Sequence, residues 1–252
     1  MSLIRLIRAE FLKMKNTSFY IIHICIPLIG ALLFFLYYVN SQIKVDVKIQ
    51  LYLQVLSIVF PLLISIVTSQ AIQKEKDAGS CKEVLSNQYG RISCIVSKMS
   101  MLLICGFSSL VIAISAFVCS LKYILNQNSA FNFMFFLQTT LIIFGCQIII
   151  YILHGWLNFR FNSGISMLIG TFESILSALM LTGLGDNIWQ WLPSGINARL
   201  NGYFILKSSS ISLFNKVNTN INLGIINLII LTVLFGIIFI YWFNNYDTKI
   251  ES

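Results

Sequence analysis

Apolar positions in this chain run on for about 20 residues at a time, and they do so six times, over 20–39, 51–72, 99–121, 133–156, 164–183 and 223–243. A helix of that length rises about 30 Å, the thickness of a bilayer's hydrocarbon core, so each run predicts a membrane-crossing helix. Between the second and third runs lies the one long polar stretch, Gln73 to Lys98. It predicts a segment in water. Within it Glu75, Asp77, Gly79, Lys82, Glu83, Val84 and Leu85 read as a short amphipathic helix entered at Gly79. Its charges point outward in this reading, and Val84 and Leu85 are left for docking on a partner.

The flanks of the runs carry their own patterns. Ile4, Ile7, Phe11 and Met14 fall at helical spacing, with Arg5, Arg8, Lys13 and Lys15 elsewhere on the wheel. That pattern predicts a helix lying in the headgroup layer; the plainer alternative is a positive tail that fixes topology. Pro27 and Pro61 sit inside the first and second runs, where a kink or hinge is expected. The third run has small residues at Gly106, Ser108, Ser109, Ala113 and Ala116, on which helices can approach closely. Residues 157–162 make a short turn, so the fourth and fifth runs should be antiparallel neighbours.

The fifth run holds the only acid inside a predicted span, Glu173. Ser166, Gly170, Glu173 and Ser177 share one helical face, so Glu173 should point where helices pack or a cavity opens. An acid at that depth is costly and is a functional candidate by default; the alternative is a hydrogen-bonded packing residue. Residues 184–222 form the longest outer segment, with Asp186, Trp189, Trp191, Pro193 and Arg199 close together. It is too broken by Gly and Pro for a span and too aromatic for a free loop. Short interfacial or re-entrant helices fit, with the two tryptophans as belt anchors or as a substrate-contacting lip.

Composition removes the soluble alternatives. Of the 252 residues 57% are hydrophobic and only 10% are charged, whereas soluble domains carry about 25% charged residues. The fold class expected is an all-α integral membrane protein, organised as one transmembrane domain over 1–252. The net charge of +8 does not indicate a nucleic-acid partner, because the basic residues are scattered between apolar runs and form no continuous face. They indicate topology. Four precede the first run, five lie in the polar stretch, Arg160 and Lys249 add one each, and six fall on the other side. That excess predicts both termini in the cytoplasm. The first apolar run starts only near Tyr20 and lacks a small-residue cleavage site after it, so no cleavable signal peptide is expected.

Candidate chemistry is sparse. Cys25, Cys81, Cys94, Cys105, Cys119 and Cys146 avoid the predicted outer loops, so no disulfide framework is expected. Cys81 and Cys94 are too far apart for a paired zinc motif, and neither His23 nor His154 has an acidic partner at helical spacing; no metal site is expected. GxxxxGK[ST], GxSxG and HExxH are all absent, so the chain should not hydrolyse ATP by itself and should not be an enzyme. Three classes remain: a permease driven by a separate ATPase, an ion-coupled secondary transporter, and an intramembrane enzyme. A single buried acid and no internal repeat weigh against the second.

Glu75, Gly79, Leu85, Arg91 and Lys98 stand in the order Glu, three residues, Gly, then Leu, a basic residue and a Lys opening the next span. This resembles the coupling-helix region of type-2 ABC exporter permeases. The order of parts, from a basic amphipathic segment ending at Glu10 to Lys15 through all six spans, is similar over nearly the whole chain. Within that superfamily the pattern is most similar to the lantibiotic-immunity permeases. It departs from many relatives at Ser86 to Gly90, which lacks a proline before the basic residue.

The resemblance implies six spans with an N-terminal interfacial helix, a cytoplasmic coupling helix and short outer helices before the last span. Glu75, Asp77, Gly79, Lys82, Glu83 and Leu85 would couple to a cytosolic ABC ATPase. ATP and magnesium would be used by that partner, with no cofactor bound here. A second permease, identical or related, would complete a dimer in the bacterial plasma membrane, among membrane lipid. The expected substrate is a cationic amphipathic peptide, expelled for self-protection past Glu173, Asp186, Trp189 and Trp191. Another amphipathic drug, a lipid or a polysaccharide is the alternative cargo.

Overall fold

The computed structural model describes residues 3–79, 81, 89–209, 211–217 and 220–246. It is helical throughout, with no strand among the described residues. The helices are α1 (Leu3–Lys13), α2 (Ser18–Tyr38), α3 (Val45–Asp77), α4 (Arg91–Cys119), α5 (Phe133–Arg160), α6 (Ser163–Met180), α7 (Pro193–Ser209), α8 (Ile211–Val217) and α9 (Ile221–Asn244). Among the described residues six helices, α2 to α6 and α9, are long and apolar enough to cross a membrane. Each contains most of one predicted run. α3 is longest; its 33 residues rise about 50 Å and outreach the hydrocarbon core at both ends.

Local chemistry sets the helix starts. Thr17, Asn132 and Asn162 cap α2, α5 and α6 by accepting the backbone N–H of Phe19, Phe135 and Ile165. Pro193 opens α7, where its missing N–H costs nothing. The predicted outer loop 40–50 is shorter than expected. Lys48, which read as a loop cation, is fully buried inside α3, with Nζ donating to Tyr38 O at 3.1 Å and Gln127 Oε1 at 3.2 Å. A backbone carbonyl at the end of α2 and a side-chain amide oxygen from the loop after α4 replace water there, which no local pattern reveals.

α3 runs down the middle of the bundle against α5, α6 and α7, while α2 leans on α4. Both intrahelical prolines are met by neighbours. Pro27 has no N–H for the carbonyl of His23, and Ser109 Oγ of α4 donates to that carbonyl instead, at 2.8 Å. Pro61 likewise frees the carbonyl of Ser57, which accepts from Asn197 Nδ2 of α7 at 3.3 Å. Leu62 N, next in the chain, donates to Ser174 Oγ of α6 at 3.2 Å. A proline in a membrane helix is tolerated where neighbours satisfy the freed groups, as here. Gly170 lets α6 approach α3 closely, since a Cβ there would overlap Ser65 and crowd the Pro61 carbonyl.

The segment before the last span corrects the expectation of short helices only. Two single 3₁₀ turns, Gly183–Gly185 and Trp189–Trp191, precede α7, whose 17 residues pack against α3, α5 and α6. α7 starts deep, with Ser194 at Ser177 of α6, and reaches Leu53 of α3 by Asn201. It therefore climbs the outer half of the bundle. α1 forms as expected and turns Leu6 and Glu10 inward, with Met14 buried just beyond, while Ile4 points out at 75% exposure. Outward faces of α2 and α9, such as Leu28, Leu32, Ile229 and Val233, stay apolar, as lipid contact requires.

Candidate functional site

Three polar stations lie along the bundle, and the first ties α1 to α3 and α4. Lys98 of α4 is fully buried and pairs with Glu10 of α1 and, at 2.8 Å, with Glu75 of α3. Lys13 closes the set, with Nζ at 3.1 Å from both Glu10 and Glu75. Two acids and two bases thus neutralise one another, the condition under which buried charges are tolerated. Burial works against the charge on Lys13, but Glu10 and Glu75 outweigh it and hold its ammonium well above the usual lysine range. Glu75 was expected on the outward charged face. It faces inward because two lysines converge on it from separate helices, a tertiary fact.

The remaining residues of the polar stretch divide. Asp77 is exposed at the end of α3 and accepts from Gln73 Nε2 at 2.8 Å. Gly79, at φ 130°, adopts a conformation that favours glycine, just past the helix end. α3 therefore continues to Asp77 where a new helix was expected to be opening. Lys82, Glu83 and Leu85 lie outside the described residues. Beside this end an open crevice is lined by Ser18, Ser69, Gln70, Lys74, Asp77 and Ser163.

The second station is inside the membrane. Ser166, Gly170, Glu173 and Ser177 are the buried row of α6, as their spacing predicts. Opposite Glu173 stands His154 of α5, fully buried, with Nε2 at 3.1 Å from Glu173 Oε2. Its Nδ1 lies 2.9 Å from Ser166 Oγ. Asn158 Nδ2 donates to that same oxygen at 2.8 Å, and Ser69 Oγ of α3 donates to Asn158 Oδ1 at 2.8 Å. The absence of an acidic partner for His154 at helical spacing was true along α5 alone. The partner comes from the next helix, brought alongside by the short turn after Arg160.

The third station is the outer segment, and it separates residues that sit together in sequence. Trp189 is a core residue, 2% exposed, packed on Gly224 of α9 and 5.7 Å between ring centroids from Tyr203. Trp191 is 62% exposed. Successive residues of a tight turn point different ways, so only Trp191 is placed to meet a ligand at the surface. Asp186 is largely exposed and pairs with Arg199 Nη2 at 2.8 Å. Arg199 Nη2 also donates to Thr182 O at 2.7 Å, closing the turn onto α7.

Residues 6–183 match the model of the ABC-2 family transporter protein. The chain belongs to this family. It is the permease subunit of an ABC transporter, a membrane transport subunit and not a catalytic one. Membership implies an ABC ATPase as partner. A comparison with curated proteins gave no match. The match takes in α1 to α6, and hence the first two stations of the permease, while α7 to α9 lie beyond it. Among the described residues no three His, Cys, Asp or Glu side chains gather as a metal site would need.

Proposed function

We propose that this permease, driven by a separate ATPase that uses ATP and magnesium, exports a cationic amphipathic peptide of the lantibiotic type from the membrane, protecting the cell. The face carrying α1 and residues 73–98 would be cytoplasmic, both termini included, because the basic residues concentrate there. Glu75, Asp77 and Gly79 stand where the polar stretch leaves the bundle, so the ATPase would act through Asp77, Gly79 and the residues that follow them. Lys82, Glu83 and Leu85 remain part of that coupling segment. Glu75 instead would pass movement inward to α1 and α4 through Lys98.

The observation that carries the choice of cargo is the outer rim: an exposed Trp191 ring and the largely exposed carboxylate of Asp186 on the same outer segment. Trp favours the headgroup layer, where an amphipathic peptide also partitions. Such a peptide needs to be moved outward only, without a wide aqueous channel. Trp191 would take its apolar face and Asp186 its lysines; Trp189 supports the rim from the core. A second permease, identical or related, completes the transporter in this reading.

The test is expression with the neighbouring ATPase and any second permease in a sensitive bacterial host. Survival and cell-bound peptide are then measured across several antibiotics. Protection is expected against lantibiotics, and Trp191→Ala with Asp186→Asn should lower it severalfold while leaving membrane insertion intact. If no lantibiotic loses potency while a drug, lipid or polysaccharide accumulates outside, the cargo is wrong and the exporter remains.

A further inference from the structure

The His154–Glu173 pair sits at the inner end of a hydrogen-bonded ladder that begins in the crevice beside α1. Ser69 lines that crevice and donates to Asn158; Asn158 donates to Ser166; Ser166 meets His154, and His154 meets Glu173. Ser163, also in the crevice wall, lies one turn from Ser166 on α6. Because Ser166 Oγ already accepts from Asn158, its own O–H is free to donate to His154 Nδ1. The neutral imidazole then carries its hydrogen on Nε2, pointing at the carboxylate. The carboxylate in that arrangement leaves the pair with a net negative charge inside a membrane span. One added proton removes it.

We propose that His154 and Glu173 form a proton-binding site in the membrane core, loaded from the α1 face, and that transport depends on its occupancy. The step is simple to balance. When α3 and α6 part locally enough to admit water to Ser166, which is buried in the closed bundle, a hydronium from the crevice passes a proton through the Ser166 hydroxyl to His154 Nδ1, leaving water; the hydroxyl hydrogen moves on as the new one arrives. The pair becomes imidazolium and carboxylate, or by transfer across the 3.1 Å contact imidazole and carboxylic acid, and is neutral in both forms. Asn158 is a positioning residue. Its amide cannot pass the proton, but it fixes the Ser166 lone pairs. Movement that parts α5 from α6 would strand an unpaired carboxylate unless it carries the proton, which makes the protonated pair the form competent to open.

On α5 the buried face adds Cys146 and, one turn from His154, Tyr151 over Gly106; on α6 it adds none. α3 and α4 present Glu75 and Lys98, already paired with each other toward the α1 face, and also bury Lys48, Tyr52, Cys94 and Cys105. α7 presents Arg199, engaged with Asp186, and Tyr203. The nearest α3 side chains, Ser65, Thr68 and Ser69, do not titrate in the accessible range.

The chain has two histidines, His23 and His154, so ring-nitrogen NMR of the full chain, ¹⁵N-labelled at histidine in lipid nanodiscs, reads the site without any substrate. His23→Gln identifies the His154 signals. Those signals should change reversibly on acidification, and Glu173→Gln should displace the change. Signals that stay constant on acidification, or are indifferent to Glu173→Gln, overturn the site. A second arm measures export by the permease with its ATPase in liposomes, varying pH on the α1 side alone. The rate should follow that pH, by at most about tenfold per unit for one proton, and His154→Gln should flatten it. A pH response shared by wild type and His154→Gln, or one set from the opposite side, overturns the coupling. Failure of the peptide cargo would leave the NMR arm untouched.

Discussion

Lys98 shows what one side chain decides. It is fully buried between two carboxylates that belong to different helices, and of the two lysines that hold Glu10 and Glu75 together it is the buried one. Lys98→Met, similar in volume, should destabilise the protein by about 3 kcal/mol, because removing one partner strands the opposite charges. α1 should then become open to protease while the spans stay protected; a protease pattern identical to wild type would remove this role. Lys13 adds a sign to the pH dependence. Its value is raised on folding, so its contribution is full below the ordinary lysine pKa of about 10.4 and is lost only as pH climbs through the raised value. α1 should therefore stay docked from neutrality to about pH 10 as far as Lys13 is concerned.

Helices in this bundle are completed by one another. Pro61 leaves a carbonyl of α3 unpaired, and Asn197 of α7 takes it, so a defect in one element is repaired by a side chain from another. Asn197→Leu should cost about 1–3 kcal/mol by leaving that buried acceptor without a donor. Pro61→Ala restores the N–H, and in that background the cost of Asn197→Leu should shrink by more than about 0.5 kcal/mol in a thermal-unfolding double-mutant cycle. Equal costs in both backgrounds would show that Asn197 acts by packing alone. The same logic separates glycines: Gly170→Leu, against Ser65, should disrupt folding, whereas Gly30→Leu, with nothing within 4 Å, should not.

For the molecule as a whole the testable quantity is sidedness. Gly79 lies at the α1 face, and Tyr123 and Leu184, each at least 70% exposed, lie at the other. In a cysteine-free version, Tyr123→Cys and Leu184→Cys should label from outside intact cells and Gly79→Cys only after permeabilisation. The reverse pattern would invert the orientation and the path of the proton with it. The apolar faces of α2 and α9 should show neither behaviour, being covered by lipid.

Six spans, their order and the basic end of the bundle follow from the chain's own pattern, because a bilayer rewards uninterrupted apolar length whatever the fold. The buried row of α6 follows as well: helical geometry alone sets Ser166, Gly170, Glu173 and Ser177 on one face. What packs on that face does not follow. The partners of Glu173 and Glu75 come from α5 and from α1 and α4, at sequence separations that no local periodicity records. Trp189 and Trp191 look alike in the chain, and only the turn that holds them sends one into the core. Short helices were expected before the last span, but the length of α7 was hidden because its Asn and Gly residues break the apolar run that marks a long membrane helix. In the folded bundle those same residues serve it, Asn197 and Asn201 donating to carbonyls of α3 and Gly195 fitting against Met180. Polar side chains inside a membrane have no water to turn to, so their meaning is set by the helices that surround them, and those are known only once the chain has packed.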